Sequence, residues 1–337
     1  MTQRRNVESE LRRTLDYFWT QLPVPDGPTV ASTAIALQVG GGSVRVGVDS
    51  EGHRHLLVPL AHSRPEVSDR SGTAVRLTTR PLTSEVGGGR YVDLECLRPD
   101  LDGVFTGLAA DICLGLVSAP DDPGTTVRRH LENWRTLLGS GAQTWNATRL
   151  AGLTAELLVL EQLLGLDEGA VALWTGPDGA AQDFRSARHA IEVKASLTRE
   201  GRLVRVHGTD QLEPPVGGVL GLVWFRLRQT SAENGDGLAD LIARCLDGSS
   251  HTAMIERLGK LDFPGVASPV VREFRFEVVE QRWYLVDDGF PAISPQKFEH
   301  AAVPAGVGGV EYLVDLDVVT PELRPVGDLY AVVVEDS

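Results

Sequence analysis

Asp183 and the triplet Glu192-Val193-Lys194, which begins nine residues further on, are the side chains of this chain best suited to polar catalysis. Ile191 to Lys194 is apolar and β-branched enough to read as a strand. Successive side chains on a strand point to opposite faces, so Glu192 and Lys194 share one face and Ile191 and Val193 the other. Asp183 stands in a short polar strand. Pairing of the two strands as a hairpin would bring two carboxylates and one ammonium onto a small patch. Carboxylate oxygens are the ligands of hard divalent cations, and a cation so held activates a water against a phosphodiester. Lysine is scarce here: Lys194, Lys260 and Lys297 stand against many arginines. A lysine kept at this position indicates a need for a compact ammonium rather than a planar fork.

The elements around the triplet must position it. Thr148 to Leu164 reads as an amphipathic helix with Leu150, Leu153, Leu157, Leu160 and Leu164 as its apolar stripe. Glu156 flanks that stripe, either as a solvated boundary residue or facing the site; Glu161 is a second candidate. Val171 to Trp174 reads as a short strand, and Gly176-Pro177-Asp178-Gly179 has the chemistry of a turn. Asp178 is set aside because turn aspartates bond their own backbone. Arg202 to His207 alternates as a strand, Gln211-Leu212 opens a short helix or turn, and Val219 to Leu227 is apolar enough for a central strand.

With Asp183 and Glu192-Val193-Lys194, the chain resembles the PD-(D/E)XK phosphodiesterase superfamily, with Gln182 where its proline would stand. The wider pattern is similar to the bacterial PD-(D/E)XK motif protein family in Gly152-Leu153, Glu156-Leu157, Trp174, Gly176-Pro177, Asp183-Phe184, Gln211-Leu212, Phe290-Pro291 and Tyr312. The resemblance implies an α/β (mixed α+β) chain with a restriction-endonuclease-like αβββαβ core, although only Gly208 to Glu213 is available for the crossover helix. It implies a divalent-metal-dependent DNA endonuclease. Asp183, Glu192, the Val193 carbonyl and Glu156 would hold Mg²⁺ (or Mn²⁺), Lys194 would orient the attacking water, and Gln211 would orient Lys194 or the phosphate. It also implies an association with restriction-like, anti-phage defence systems and their other subunits. The alternative is a nuclease-fold DNA-binding or scaffold subunit of a defence complex without chemistry of its own.

The rest of the chain reads as two regions, 1–122 and 123–337, the second with an extension from about 231. In the first, Asn6 to Leu22 is a helix ended by Pro23. Ser43–Val48, His55–Pro59, Ala74–Thr79 and Tyr91–Leu97 are strands punctuated by the glycine triplets at 40–42 and 87–89, and Leu101–Leu116 is a closing helix. His53 and His55 form an HxH pair that, without a third ligand in sequence, reads as a strand edge. In the second, Thr126–Leu138 is a helix broken by Gly139-Ser140-Gly141, and Gly237–Leu246 and Thr252–Leu258 are helices. Val271–Val279, Trp283–Val286, Val310–Leu316 and Leu329–Val334 are strand candidates.

The net charge of −14 argues against a general nucleic-acid coat protein. Arg185, Arg188, Arg199, Arg202 and Arg205 nevertheless make the neighbourhood of the triplet locally basic, as DNA contacts or as ordinary solvated strand edges. There is no apolar run of membrane-spanning length. Cys96, Cys113 and Cys245 are few and far apart, so neither a disulfide framework nor a zinc motif is expected, and a reducing cytoplasm fits. Neither a G-x-S-x-G elbow nor a Cys-His arrangement supports a serine or cysteine nucleophile. One site per chain implies a possible homodimer for cutting both strands.

Overall fold

A computed structural model of the chain describes residues 2–39, 42–61, 63–69, 73–84, 87–138, 145–230, 235–298, 303–304 and 306–337. Gly40, Gly41 and Gly139-Ser140-Gly141, expected as turns and a helix break, lie outside the described residues. The chain divides into two compact units. One comprises Met1–Gln143, Ile242–Asp247 and Asp262–Arg272; the other Thr144–Leu241, Gly248–Leu261 and Glu273–Ser337. The expected division at 122/123 differs from this one. The helix after it, Pro123–Leu138, packs with the first unit through Val127, Leu131 and Trp134, all buried.

The first unit starts with helix α1 (Thr2–Gln21), whose Leu15 and Trp19 are buried four residues apart. Five antiparallel strands follow: β1 (Ala31–Val39), β2 (Gly42–Val48), β3 (Arg54–Leu60), β4 (Val75–Ser84) and β5 (Gly87–Cys96), in the order β1-β2-β3-β5-β4. The second glycine triplet thus belongs to β5 rather than to a turn, because it pairs with Leu82 to Ser84 of β4. Leu56 and Val58 of β3 lie opposite Leu94 and Val92 of β5, all buried. Helices α2 (Asp102–Ser118) and α3 (Pro123–Leu138) follow, and segments 242–247 and 262–272 join the unit from later in the chain. With the turn before it, α2 forms the helix Pro99–Ser118. Among the described residues it alone is long and apolar enough to cross a membrane, yet 67% of its apolar window is buried inside the protein, as in a core helix.

The second unit opens with α4 (Ala147–Leu166), capped by the Asn146 side chain, which accepts from the Arg149 N–H at 3.0 Å. Its five expected leucines are all buried. The main sheet contains β6 (Phe184–Arg185), β7 (Ala190–Ser196), β9 (Leu220–Thr230), β10 (Asp236–Gly237) and β11 (Arg275–Leu285), in the order β10-β11-β9-β7-β6. β7 runs antiparallel to β6 and parallel to β9, with Glu192 beside Leu222 and Lys194 beside Trp224. β8 (Leu203–His207) does not join this sheet. It pairs with β12 (Glu311–Asp315), and the ribbon buries Val204, Val206 and Val314 against Leu220, Leu222 and Trp224 of β9. Helices α6 (His251–Lys260) and α8 (Val326–Glu335) belong to this unit, α8 packing on α4, while most of α5 (Leu238–Asp247) and of α7 (Pro269–Glu273) falls to the first.

Four expectations need correction. No helix forms between β8 and β9; Gly208 to Val219 is a series of turns, so the parallel β7–β9 crossover runs through the β8 ribbon. Ala170–Leu173 is a 3₁₀ turn rather than a strand: Asp167 Oδ1 accepts from the Gly169 N–H at 2.9 Å, and Val171 and Leu173 turn inward. Residues 329–334 are helical, because Leu329, Tyr330 and Val333 bury one helical face, which overrides the β preference of their valines. The strand expected from Val271 starts only at Arg275 and runs on through Trp283, with a bulge at Val278/Glu280.

Candidate active site

The site is built where α4, the turn after it, β6 and β7 meet. Asp183 stands one residue before β6 and its side chain is directed at the neighbouring strand: Oδ2 accepts the Val193 N–H at 2.7 Å. Its own carbonyl accepts the N–H groups of Thr175 and Gly176 at 2.8 and 2.9 Å, which fixes the turn across it. Gly176 is needed for this approach. A Cβ there would meet Asp183 Oδ1 at 3.1 Å and Glu156 Oε2 at 3.4 Å, so both carboxylates converge over one glycine. Trp174, fully buried, donates its indole N–H to Glu156 Oε2 at 2.8 Å. Glu156, rather than Glu161, is therefore the α4 carboxylate tied into this group.

Glu192 is 1% exposed. Lys194 Nζ lies 2.8 Å from its Oε1, while its Oε2 has no hydrogen-bond partner. Lys194 also donates to Gln211 Oε1 at 3.0 Å, an oxygen that accepts the His207 N–H at 3.0 Å as well. The end of β8 thus fixes Gln211, and Gln211 fixes Lys194. The structure brings together Glu156, Asp183, Glu192, Val193, Lys194 and Gln211, the full expected set.

Burial governs the electrostatics. It raises the Glu156 carboxyl to about 8, with Asp183 adding to the rise and the Trp174 hydrogen bond and Lys194 opposing it. Burial raises Asp183 to about 6 against the Val193 hydrogen bond and Lys194. Glu192 is raised well above the ordinary carboxylate range by burial and then by Asp183, with Lys194 opposing. Three crowded acids share one ammonium, so without a further cation they hold protons that their unburied counterparts would have released. A divalent cation with oxygen ligands fits this donor set, and the orphaned, buried Glu192 Oε2 is a ligand atom with no other use.

The basic candidates disperse. Arg185, exposed on β6, donates to Gln182 Oε1 at 3.0 Å. Arg188 pairs with Asp336 at 3.0 Å and Arg205 with Glu311 at 3.2 Å. Arg202 pairs with Glu280 at 2.7 Å and with Asp317, and its guanidinium lies over the Trp224 ring at 5.5 Å. Arg199 projects from the exposed loop after β7, near Arg226 and Arg228. The other two lysines are accounted for: Lys260 and Arg257 pair with Asp178, and Lys297 donates to the Phe290 carbonyl at 2.7 Å.

Sequence reasoning assigned no role to Trp174, Gly176 or Gln182. Gln182, buried where the motif's proline would stand, donates to the Asp210 carbonyl at 2.8 Å and so ties the Asp183 segment to the Gln211 turn. Its position directly before Asp183, where the motif's proline would stand, was the available signal. A family model with the description "Putative PD-(D/E)XK family member" (DUF4420) matches residues 15–317 of the chain. No curated protein and no solved structure matches it.

Proposed function

Since this chain belongs to the PD-(D/E)XK family whose model spans nine-tenths of it, we propose that it is a divalent-metal-dependent DNA endonuclease of a bacterial restriction or anti-phage defence system. The observation that carries the proposal is the convergence of Asp183, Glu192 and Lys194, with one Glu192 oxygen buried and unpartnered. Asp183, Glu192, Glu156 and the Val193 carbonyl would hold Mg²⁺ or Mn²⁺. When bound, the ion supplies an acidified water and neutralises charge on the phosphate. Lys194 holds its ammonium beside Glu192, where it orients the nucleophile and stabilises charge that grows in the transition state. Gln211 sets the Lys194 position, and Trp174 holds Glu156. DNA approaches along Arg185, Arg188, Arg199, Arg202 and Arg205, and cutting both strands calls for two copies of the chain or for other subunits.

Plasmid DNA incubated with Mg²⁺ or Mn²⁺ tests this directly. Nicking by the wild type that vanishes in Asp183→Ala is the expected result. Cutting that persists in Asp183→Ala would remove this aspartate from the chemistry. A second reading, a non-cutting DNA-binding or scaffold subunit, is favoured by one observation: Arg188, Arg202 and Arg205 are engaged by Asp336, Glu280, Asp317 and Glu311 rather than free for phosphate. Calorimetry with Mg²⁺ separates the two, since the scaffold has no need of the ion.

A further inference from the structure

The first unit holds a polar cluster that the endonuclease reading does not use. In β3 and β5, His55 lies opposite Glu95 and Leu57 opposite Asp93, so His55, Asp93 and Glu95 share the sheet face opposite to Leu56 and Leu94. That face is nonetheless buried here: His55 is 1% exposed and Glu95 6%. Asp49, in the turn between β2 and β3, uses Oδ1 to accept the N–H groups of Glu51 and His53 at 2.9 and 2.8 Å. Its Oδ2 is left facing the two histidines. His55 Nε2 lies 3.5 Å and His53 Nδ1 3.4 Å from that oxygen, and His53 Nδ1 lies 3.6 Å from Glu95 Oε1. The ligand atoms of Asp49, His55 and Glu95 all fall within 4.8 Å of one another. The sequence offered no third ligand for the HxH pair; the fold supplies two, from the β2–β3 turn and from β5.

We propose that Asp49, His55 and Glu95 bind a first-row transition-metal ion of the Zn²⁺ class, with His53 at the edge of the cluster, as a clamp between the β2–β3 turn and β5. Both histidine nitrogens aimed into the cluster are buried and make no hydrogen bond, a costly state for a polar atom unless a ligand occupies the space between them. The separations of 3.4, 3.5 and 3.6 Å are too long for good hydrogen bonds. The 3.5 Å between His55 Nε2 and Asp49 Oδ2 is close to the edge of a tetrahedron with bonds of about 2.1 Å, which is roughly 3.4 Å. The far side of His55 is prepared too: Nδ1 lies 2.8 Å from Asp93 Oδ1, and Asp93 Oδ2 is held by Arg80 at 2.7 Å. A carboxylate on the remote nitrogen fixes the tautomer that leaves Nε2 as a ligand. A buried imidazole with two carboxylates, and a second imidazole beside them, suits Zn²⁺, Co²⁺ or Ni²⁺ better than Mg²⁺. Arg76 reaches Glu95 at 3.2 Å and is half exposed, so it can leave that carboxylate to an incoming ion.

The test is Co²⁺ titration of the metal-stripped full chain, read by visible absorption, with Zn²⁺ displacement and total metal analysis. Asp183→Ala/Glu192→Ala serves as the parent, so that the second unit contributes no ligands. One equivalent of Co²⁺ with a tetrahedral spectrum, displaced by Zn²⁺, is expected. His55→Gln and Asp49→Asn should lose it, and Asp93→Asn should weaken it by roughly 10–100-fold. Absence of a stoichiometric Co²⁺ signal in the parent overturns the proposal, as does unchanged affinity in His55→Gln. If His55→Gln does not fold, Asp49→Asn, at a more accessible position, decides in the same way.

Discussion

Glu192 and Lys194 sit two residues apart on one strand, and their partnership is lopsided. One Glu192 oxygen has the ammonium; the other, equally buried, has nothing. Lys194→Ala should retain the fold and lower single-turnover DNA cleavage by about 10²-fold or more, in the range seen when a preorganised charge stabiliser is removed. Cleavage at the wild-type rate would exclude the lysine from the mechanism. The acids also predict a pH dependence. Glu156, Asp183 and Glu192 all have carboxyls raised in the folded state. The metal-free folded chain therefore keeps protons that the unfolded chain has released. By linkage, the stability these groups contribute is fully present below the unfolded carboxylate range, about 4. It is lost as pH rises through about 6 for Asp183 and about 8 for Glu156. Urea unfolding in EDTA should thus show lower stability at pH 8 than at pH 5.5, and saturating Mg²⁺ should narrow the gap. A flat profile would mean that the carboxylates are already balanced. At this scale the sequence was most informative. Asp183, Glu192 and Lys194 follow from strand alternation and one hairpin, both local. Trp174 and Gln182 were not legible, because their partners, Glu156 and Asp210, lie 18 and 28 residues away.

The elements place these residues through close backbone contacts. At the start of the parallel β7–β9 pair, a Cβ on Gly218 would fall 1.4 Å from the Arg188 carbonyl oxygen, a backbone atom that has no rotamer to change. Gly218→Ala should therefore destabilise the chain by about 1–3 kcal/mol or more through overpacking. Chemical denaturation would measure this, and a neutral result would show that the 215–219 turn relaxes freely. The element boundaries were legible wherever hydrophobic periodicity is strong, as in α4 with its five buried leucines. They failed where long-range packing decides. β1 is built from ASTAIALQV, which lacks a strong strand signature. Residues 329–334 are rich in valine yet helical, since α4 offers them a face to cover. β8 was recognised as a strand, but nothing local reveals that its partner is β12, 104 residues on from His207 to Glu311.

At the scale of the whole molecule, the net charge opposes the proposed substrate. A chain of net charge −14 repels DNA at long range, so the proposed endonuclease would have to rely on a few arginines near the site. If the five candidates all reach phosphates, log affinity against log salt should have a slope no steeper than about −4.5, at roughly −0.9 per contact. Filter binding or fluorescence anisotropy in Ca²⁺, at several salt concentrations, measures it. A much steeper slope would demand a second basic surface or a partner chain. Four of the five are already engaged by carboxylates or, for Arg185, by Gln182, so a shallower slope is the stronger expectation. The division into two units was only roughly visible in the sequence. Composition does not change at residue 143, and the segments 242–247 and 262–272 join the first unit only through the path of the fold.

The hydrogen bond from the Val193 N–H to Asp183 Oδ2 replaces what would be a ladder bond, since β6 pairs with β7 only as far as Ile191. One backbone amide in the middle of the motif therefore reports directly on the ionisation and occupancy of a carboxylate. Its proton resonance will lie far downfield while Asp183 is charged, and it will move when a cation or a proton draws electron density from that oxygen. In a ¹⁵N-labelled sample, that single cross-peak serves as a built-in spectroscopic gauge of the site, readable without any DNA present.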